Sequence, residues 1–166
     1  MGMTGKIQQQ AIRDVEKAIN EMVNTVKDLS EDTIRWKPSA EEWSIMQVIA
    51  HVAEAIPFWL GEIRQIIQSP KDVWGRDHTN KIRLEAVDEA AVDQLAVENV
   101  IKDLENIPAQ TEETLSKLTD EQLQLIAPSR NPNFDGKPVQ FIIDKLIVGH
   151  IQGHNGQIQR NLSKIQ

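Results

Sequence analysis

Two of the four histidines in the chain, His150 and His154, lie four residues apart in an amphipathic segment. In a helix this spacing puts both rings on one face, one turn apart, so that they can share a metal ion. Ile147, Ile151 and Ile158 flank the pair, which indicates that this face points toward the core. The glutamate that helical zinc proteases carry in such a pair is absent, because Ile151 follows His150. The pair therefore indicates a metal site of another type, or two histidines packed in the core.

A third histidine, His51, lies between Val48 and Ala55 on the apolar face of another predicted helix. Helical bundles build metal sites from side chains on facing helices, and three neutral imidazoles leave positions open for water or substrate. A buried histidine without a metal is the alternative, and the residues alone leave both interpretations open. The chain has no cysteine, so a metal would be bound by imidazole and carboxylate groups.

Four long amphipathic segments have to position these residues. They cover residues 12–29, 44–69, about 88–118 and 138–162. A capping box at Ser44 and Gln47 starts the second segment. Pro57 is expected to kink or locally unwind the second segment, and Pro108 to kink or divide the third. The stretches 69–87 and 129–137 are predicted to be irregular, and the first of them could be a crossover, a lid or a dimer contact. No strand pattern is present, so we expect an all-α fold, a four-helix bundle, as a single domain over residues 1–166.

The composition excludes several classes of function. A net charge of −7 is unsuited to nucleic acid or to an anionic membrane surface, both of which attract basic proteins. The first residues contain no apolar stretch typical of a signal peptide, and no apolar run approaches the length of a membrane span. We therefore expect a cytoplasmic protein that binds neither nucleic acid nor membranes.

Two sequence motifs resemble those of the DinB-like (DinB/YfiT-like) family of metalloenzymes. The first is W-S-I-x-x-V-I-x-H-V, from Trp43 to Val52, and the second is G-H-x-x-x-H-N-G-Q-I, from Gly149 to Ile158. The segment from Leu29 to Pro38 is similar to the family's linker between its first two helices. The order of these parts agrees with the family over nearly the whole chain. One position departs from it, since Asn155 stands where many members have a further histidine.

The resemblance implies a four-helix bundle, often dimeric, in which His51, His150 and His154 bind one divalent metal ion. Zinc, nickel, iron and manganese all occur in the family. Its characterised members include S-transferases that use bacillithiol and an isomerase that uses mycothiol. The resemblance thus favours a thiol-dependent S-transferase that acts on a small-molecule electrophile with a low-molecular-weight thiol. A hydrolase that uses a metal-activated water, or a noncatalytic metal-binding bundle of a stress response, is the alternative.

Two further side chains are candidates for a role beside the metal. Glu54, three residues after His51, is the best-placed carboxylate for a general base, with a solvated surface charge as the alternative. Gln157, three residues after His154, could orient that ring or a bound water, or it could be an ordinary surface residue. The fourth histidine, His78, is predicted to lie at the surface.

Overall fold

The structure is a computed structural model that describes residues 5–165. Its helices, numbered along the chain, are α1 Lys6–Lys27, α2 Glu31–Arg35, α3 Ile45–Gln68, α4 Lys81–Val87, α5 Glu89–Asp93, α6 Val97–Leu115, α7 Asp120–Leu123 and α8 Val139–Phe141. A π-helical segment, Ile142–Val148, continues directly from α8 and leads into α9, Gly149–Lys164. Within the described residues there is no β-strand, as the sequence predicted. None of the described helices is long and apolar enough to cross a membrane.

The four long helical segments form the predicted four-helix bundle. Helix α1 packs against α6 and α9, and α3 packs against the same two helices, so the order around the bundle is α1, α6, α3, α9. Each helix buries one apolar stripe, and burial of this surface is what stabilises the bundle. The largest fully buried side chains include Ile19, Met22, Ile49, Ile63, Leu104 and Ile107.

Helix α3, which carries His51, begins at the capping box that the sequence predicted. The hydroxyl of Ser44 accepts from the Gln47 N–H at 3.1 Å, and the Gln47 side chain accepts from the Ser44 N–H at 2.9 Å. The amide of Gln47 also donates to the carbonyl of Val87 at 2.9 Å, which fastens the end of α4 to the start of α3. Helix α3 continues through Pro57 to Gln68, so this proline does not end it.

The predicted boundaries were wrong between the second and third long helices. The stretch 69–87 was expected to be irregular, but residues 81–87 form α4, because the side chain of Asn80 accepts from the Arg83 N–H and caps the helix. The single helix expected over 88–118 is divided into α5 and α6. Asp88 caps α5 through the Ala91 N–H, and α6 then continues through Pro108 without a break.

The π-helical segment before α9 was not predicted from the sequence. The spacing of apolar residues in this segment is compatible with an α-helix, which is what the sequence predicted. That spacing does not distinguish the wider π-helical turn from an α-helical one. At its end the Gly149 N–H donates to the carbonyl of Asp144, five residues earlier. A Cβ atom on Gly149 would lie 2.9 Å from that oxygen, which is closer than a methyl group can approach. Glycine therefore permits the turn that leads directly into His150.

Candidate metal centre

The bundle brings together the three histidines that the sequence identified. His51 on α3 and His150 and His154 on α9 each offer one ring nitrogen, and these three atoms lie within 4.8 Å of one another. The ring centroids are separated by 4.7 to 5.0 Å. Because α3 and α9 are neighbours in the bundle, residues 99 positions apart in the chain meet at one point. These are the residues of the described chain that could hold a metal ion.

Hydrogen bonds fix the orientation of two of the rings. Nδ1 of His150 is 3.1 Å from the carbonyl oxygen of Leu146, which lies in the π-helical segment. Nδ1 of His154 is 2.8 Å from Oε1 of Gln157. An oxygen of this kind only accepts, so each Nδ1 carries the proton and the neutral ring presents a lone pair at Nε2. This arrangement is the usual one for histidines that bind a metal through Nε2.

The third ring, that of His51, is buried and only partly satisfied. Its Nε2 lies 3.0 Å from Nε2 of His150, while its Nδ1 has no hydrogen-bond partner among the described residues. Two imidazole nitrogens bound to one tetrahedral zinc ion are about 3.4 Å apart, since each Zn–N bond is about 2.0–2.1 Å long. The observed separation is close to that value, so the two nitrogens fit a shared cation. The donor set of three imidazoles likewise suits zinc, nickel and iron.

The surroundings of the site keep its rings uncharged. Burial, followed by the nearby charges of His150, His154, Arg83 and Arg76, lowers the pKa of His51 to about 2. Burial, followed by the charge of His154, lowers the pKa of His150 to about 4. The pKa of His154 is also lowered by burial, although its bond with Gln157 opposes the shift. Neutral imidazole is the form that binds a cation, so no proton has to leave these rings at neutral pH.

An aromatic side chain from the loop before α3 covers one side of the site. The ring of Trp43 stacks on His154, with centroids 6.3 Å apart, and meets the edge of His51 at 5.3 Å. The backbone carbonyl of Trp43 accepts from the side chain of Asn161 at 2.9 Å, which ties this loop to α9. Trp43 therefore limits access of water to His51 and His154 from this side.

A cavity of about 230 Å³ opens on the other side, next to His51 and His150. Trp59 and Phe134 form an aromatic wall, with ring centroids 6.1 Å apart. The loop after α3 provides another wall, and the fully buried Trp74 holds it in place by donating from its indole nitrogen to the carbonyl of Ala127 at 2.9 Å. The cavity thus has direct access to two of the three rings.

Glu54, the predicted general base, is held in an ion pair beside this cavity. Its two oxygens accept from Nη1 and Nη2 of Arg76 at 2.8 and 2.5 Å. The guanidinium of Arg76 also lies 4.0 Å over the ring of Phe58. The side chain of Glu54 is 23% exposed, so the pair is partly shielded from solvent. Its role as a base stays a prediction, and any transfer of a proton to it would compete with Arg76.

Asn155 and His78 occupy different positions relative to the metal centre. Asn155 is buried and points away from the histidines, since its side-chain nitrogen donates to the carbonyl of Ala18 on α1 at 2.9 Å. It therefore joins α9 to α1 rather than lining the metal centre. His78 is exposed, as expected, and lies at the edge of the cavity.

Sequence reasoning missed the cationic residues of the cavity. Arg76, Arg83 and Lys145 all line it, from the loop after α3, from α4 and from the π-helical segment. No sequence pattern relates these three residues to one another, because they lie in separate segments of the chain. Residues 81–87, which form α4, were also not predicted to be a helix. The position of Arg76 two residues before His78 was the one available signal, and it does not distinguish a cavity wall from an exposed loop.

Comparison with models of known families matches residues 14–158 to the DinB superfamily. This chain belongs to the DinB superfamily. The match covers both motifs from which the resemblance was inferred, Trp43 to Val52 and Gly149 to Ile158. It therefore includes all three histidines.

One similar protein and one similar solved structure share limited sequence identity with this chain. YuaE of Bacillus subtilis (strain 168), an uncharacterized protein, is 28% identical over 152 residues, which cover 86% of this chain and 91% of YuaE. The structure of YfiT from Bacillus subtilis, described as a probable metal-dependent hydrolase with an unusual four-helix bundle topology, is 15% identical. It superimposes with a TM-score of 0.72 and covers 93% of this chain and 85% of YfiT. This likeness confirms the predicted fold.

Proposed function

We propose that this member of the DinB superfamily is a metal-dependent hydrolase of small molecules. One observation carries the proposal: nitrogens of three neutral imidazoles, one of them buried and two half-buried, lie within 4.8 Å of one another beside a cavity of about 230 Å³. A site with three protein ligands and an adjoining cavity is typical of catalytic rather than structural metal centres. The description of YfiT as a probable metal-dependent hydrolase supports the same choice.

The residues of the chain orient the histidine rings and exclude water from one side of the site. A divalent ion at this site would supply a Lewis acid that lowers the pKa of a water or a thiol toward neutrality. Leu146 and Gln157 hold the rings of His150 and His154 at Nδ1, which leaves the Nε2 lone pair of each ring available to a cation. Because all three ligands are neutral, they leave the charge of the ion uncompensated, which strengthens that effect. Trp43 closes one side, so a substrate approaches from the cavity.

A thiol-dependent S-transferase is the second candidate, and the pairing of Glu54 favours it. Each oxygen of Glu54 accepts a hydrogen bond from Arg76, so a proton transferred from water to this carboxylate would have to compete with the guanidinium. A thiol needs less help, since its pKa of about 8.5 lies far below the value of about 15.7 for water. The chain contains no cysteine, so the thiol would be a small cosubstrate such as bacillithiol.

One experiment separates the two candidates. Protein loaded with zinc or nickel is given an activated ester, p-nitrophenyl acetate, and separately a reactive aryl chloride with and without bacillithiol, cysteine or glutathione. The hydrolase proposal predicts ester turnover in water alone, abolished by His154→Ala and retained by His78→Ala, which replaces the exposed histidine. Turnover of the aryl chloride that requires a thiol, without ester hydrolysis, would instead establish the transferase. If neither substrate is turned over at a rate that depends on His154, the noncatalytic alternative holds.

A further inference from the structure

The cavity beside the metal centre has a charge opposite to that of the whole chain. The chain has 25 acidic and 18 basic residues, for a net charge of −7. The cavity nevertheless carries three cationic side chains, those of Arg76, Arg83 and Lys145. Among the described residues a single carboxylate, that of Asp77, lines it, and its Oδ1 already accepts from the backbone N–H of Thr79 at 2.8 Å. Positive charge is therefore concentrated where a substrate would enter.

Two of these cations have no carboxylate partner. Arg83 donates from Nη1 to the backbone carbonyl of His78 at 3.2 Å, and no acidic group of the described chain lies within ion-pair distance of it. Lys145 likewise forms no ion pair with a described residue. Surface lysines and arginines often lack partners, but two of them lining one cavity leave a positive potential that an anion would neutralise.

Arg76 adds a buried donor without an acceptor. Its side chain is 5% exposed, and its two terminal nitrogens are bound by Glu54. Its Nε has no hydrogen-bond partner among the described residues. Asn131, which also lines the cavity, uses its oxygen to accept from the Asn133 N–H at 3.0 Å, and its amide hydrogens have no acceptor among the described residues. Nε of Arg76 and the amide of Asn131 are thus donors that an acceptor ligand would satisfy.

The cationic groups and two of the candidate metal ligands line the same cavity. Arg76, Arg83 and Lys145 share its lining with His51 and His150, and its volume is about 230 Å³. The cationic groups and these two ligands are therefore close enough to act on one small molecule. Neutral imidazoles do not offset the charge of a bound divalent ion, so the metal would add to the positive potential rather than reduce it.

We propose that this cavity binds the acidic group of a small organic anion, a carboxylate or a phosphate, through Arg83 and Lys145. Trp59 and Phe134 would pack against the apolar part of the same molecule, whose reactive group then faces His51 and His150. A volume of about 230 Å³ limits the ligand to a small one, since pockets for drug-sized molecules begin near about 300 Å³. Binding of this anion does not depend on the proposed function. Its role as the substrate does, and in that respect the inference rests on the proposed function.

Calorimetric titration with three matched probes tests the proposal. Phenylacetate and phenyl phosphate carry the acidic group, and phenylacetamide has the same aromatic body without a charge. Each is titrated into metal-free protein and into zinc-loaded protein at low ionic strength, where charge contributes most. We expect both states to bind at least one anion about tenfold more tightly than the amide, because a hydrogen bond between two charged groups is stronger than one to a neutral amide. The anion that binds more tightly identifies the acidic group.

Substitutions then assign the binding to named residues. Arg83→Gln and Lys145→Gln should each weaken anion binding about tenfold and leave amide binding unchanged. Arg13→Gln and Lys102→Gln remove the same charges from exposed positions on α1 and α6 and should bind as the unmodified protein does. Lys145 is exposed, so its substitution does not disturb the core even if Arg83→Gln weakens the fold.

Three outcomes would overturn the proposal. They are equal affinity for anion and amide, no anion binding in either state, and anion binding that is unaffected by both cavity substitutions. The last of these, seen only with zinc present, would mean that the anion binds the metal directly. Failure of the protein to bind zinc would contradict the proposed function but leave this test intact, because the metal-free titration stands on its own.

Discussion

Gln157 is the side chain that determines how the ring of His154 is presented. Its Oε1 accepts from Nδ1 of His154 at 2.8 Å, and no other acceptor for that proton is present among the described residues. Groups that orient a metal-binding histidine in this way typically change metal affinity by about 10- to 100-fold when removed. We therefore expect Gln157→Ala to weaken zinc binding within that range, measured by competition with a chromogenic chelator.

A glutamine on the same helix provides the control for this substitution. Gln152 is exposed on α9 and forms no hydrogen bond through its side chain with a described residue. Gln152→Ala should bind zinc as the unmodified protein does. Equal affinity in the two variants would show that Gln157 does not orient the ring.

Burial of His51 and His150 predicts how the stability of the metal-free protein depends on pH. The pKa values in the folded state, about 2 and about 4, lie below the ordinary value of 6.5. Below pH 6.5 the unfolded chain therefore gains protons that the folded chain does not. The stabilisation is complete above pH 6.5 and is lost as the pH falls toward the folded values, by up to about 1.4 kcal/mol per pH unit for each ring.

Urea unfolding of metal-free protein between pH 7 and about pH 4.5 measures this slope. His51→Gln removes one of the two rings, so we expect a shallower loss of the free energy of unfolding over this range. The absolute stability of the variant is not part of the comparison, since only its change with pH is used. An unchanged slope would mean that His51 takes up a proton in the folded protein as readily as in the unfolded one.

The junction between the π-helical segment and α9 sets the position of His150. Gly149→Ala would place a methyl carbon 2.9 Å from the carbonyl of Asp144, so the backbone beside His150 has to move. We expect this substitution to weaken zinc binding, because a ligand displaced by a few tenths of an ångström no longer converges with the other two. Zinc affinity and the thermal midpoint of unfolding are the measurements.

Gly153 offers a matched control four residues along the same helix. A Cβ atom there meets nothing within 4 Å, so Gly153→Ala should keep zinc affinity and raise helix stability by about 0.5–1 kcal/mol. Both substitutions add one methyl group to the same element, and they differ in what that group meets. Equal zinc affinity in the two variants would contradict a role for the junction in positioning His150.

The elements also show what the sequence could and could not predict. Apolar spacing located the four long helices, and the capping box at Ser44 fixed the start of α3, because both signals are local to the chain. Helix α4 was missed, since a capping side chain such as Asn80 and a helix breaker look alike in the sequence. The break between α5 and α6 was missed because residues 94–96 contain no glycine or proline that would mark it. The π-helical turn before Gly149 was missed because it preserves the apolar character of the segment.

The site was likewise predictable only where the signal is local to the chain. The shared face of His150 and His154 follows from their spacing on one helix, whereas the approach of His51 depends on how two helices pack, and the resemblance to the superfamily supplied it. Arg83 and Lys145 could not be assigned to the cavity, because their positions result from packing of separate segments.

At the scale of the whole molecule, two opposite charge patterns coexist. The chain has a net charge of −7, which disfavours nucleic acid as a partner, while the cavity next to the histidines is cationic. In a chain with a negative net charge, a cationic cavity directs small anions toward itself. Lack of nucleic-acid binding, a cytoplasmic location and a homodimeric state all stay predictions.

The metal content of the intact protein tests the central claim most directly. Protein purified without a histidine tag is dialysed against zinc or nickel, and the bound ion is quantified by mass spectrometry. We expect one ion per chain, lost in His51→Ala, His150→Ala and His154→Ala and retained in His78→Ala, which removes the one histidine outside the cluster. Absence of a bound ion after metal is supplied, or an ion that survives removal of His51, would contradict the account.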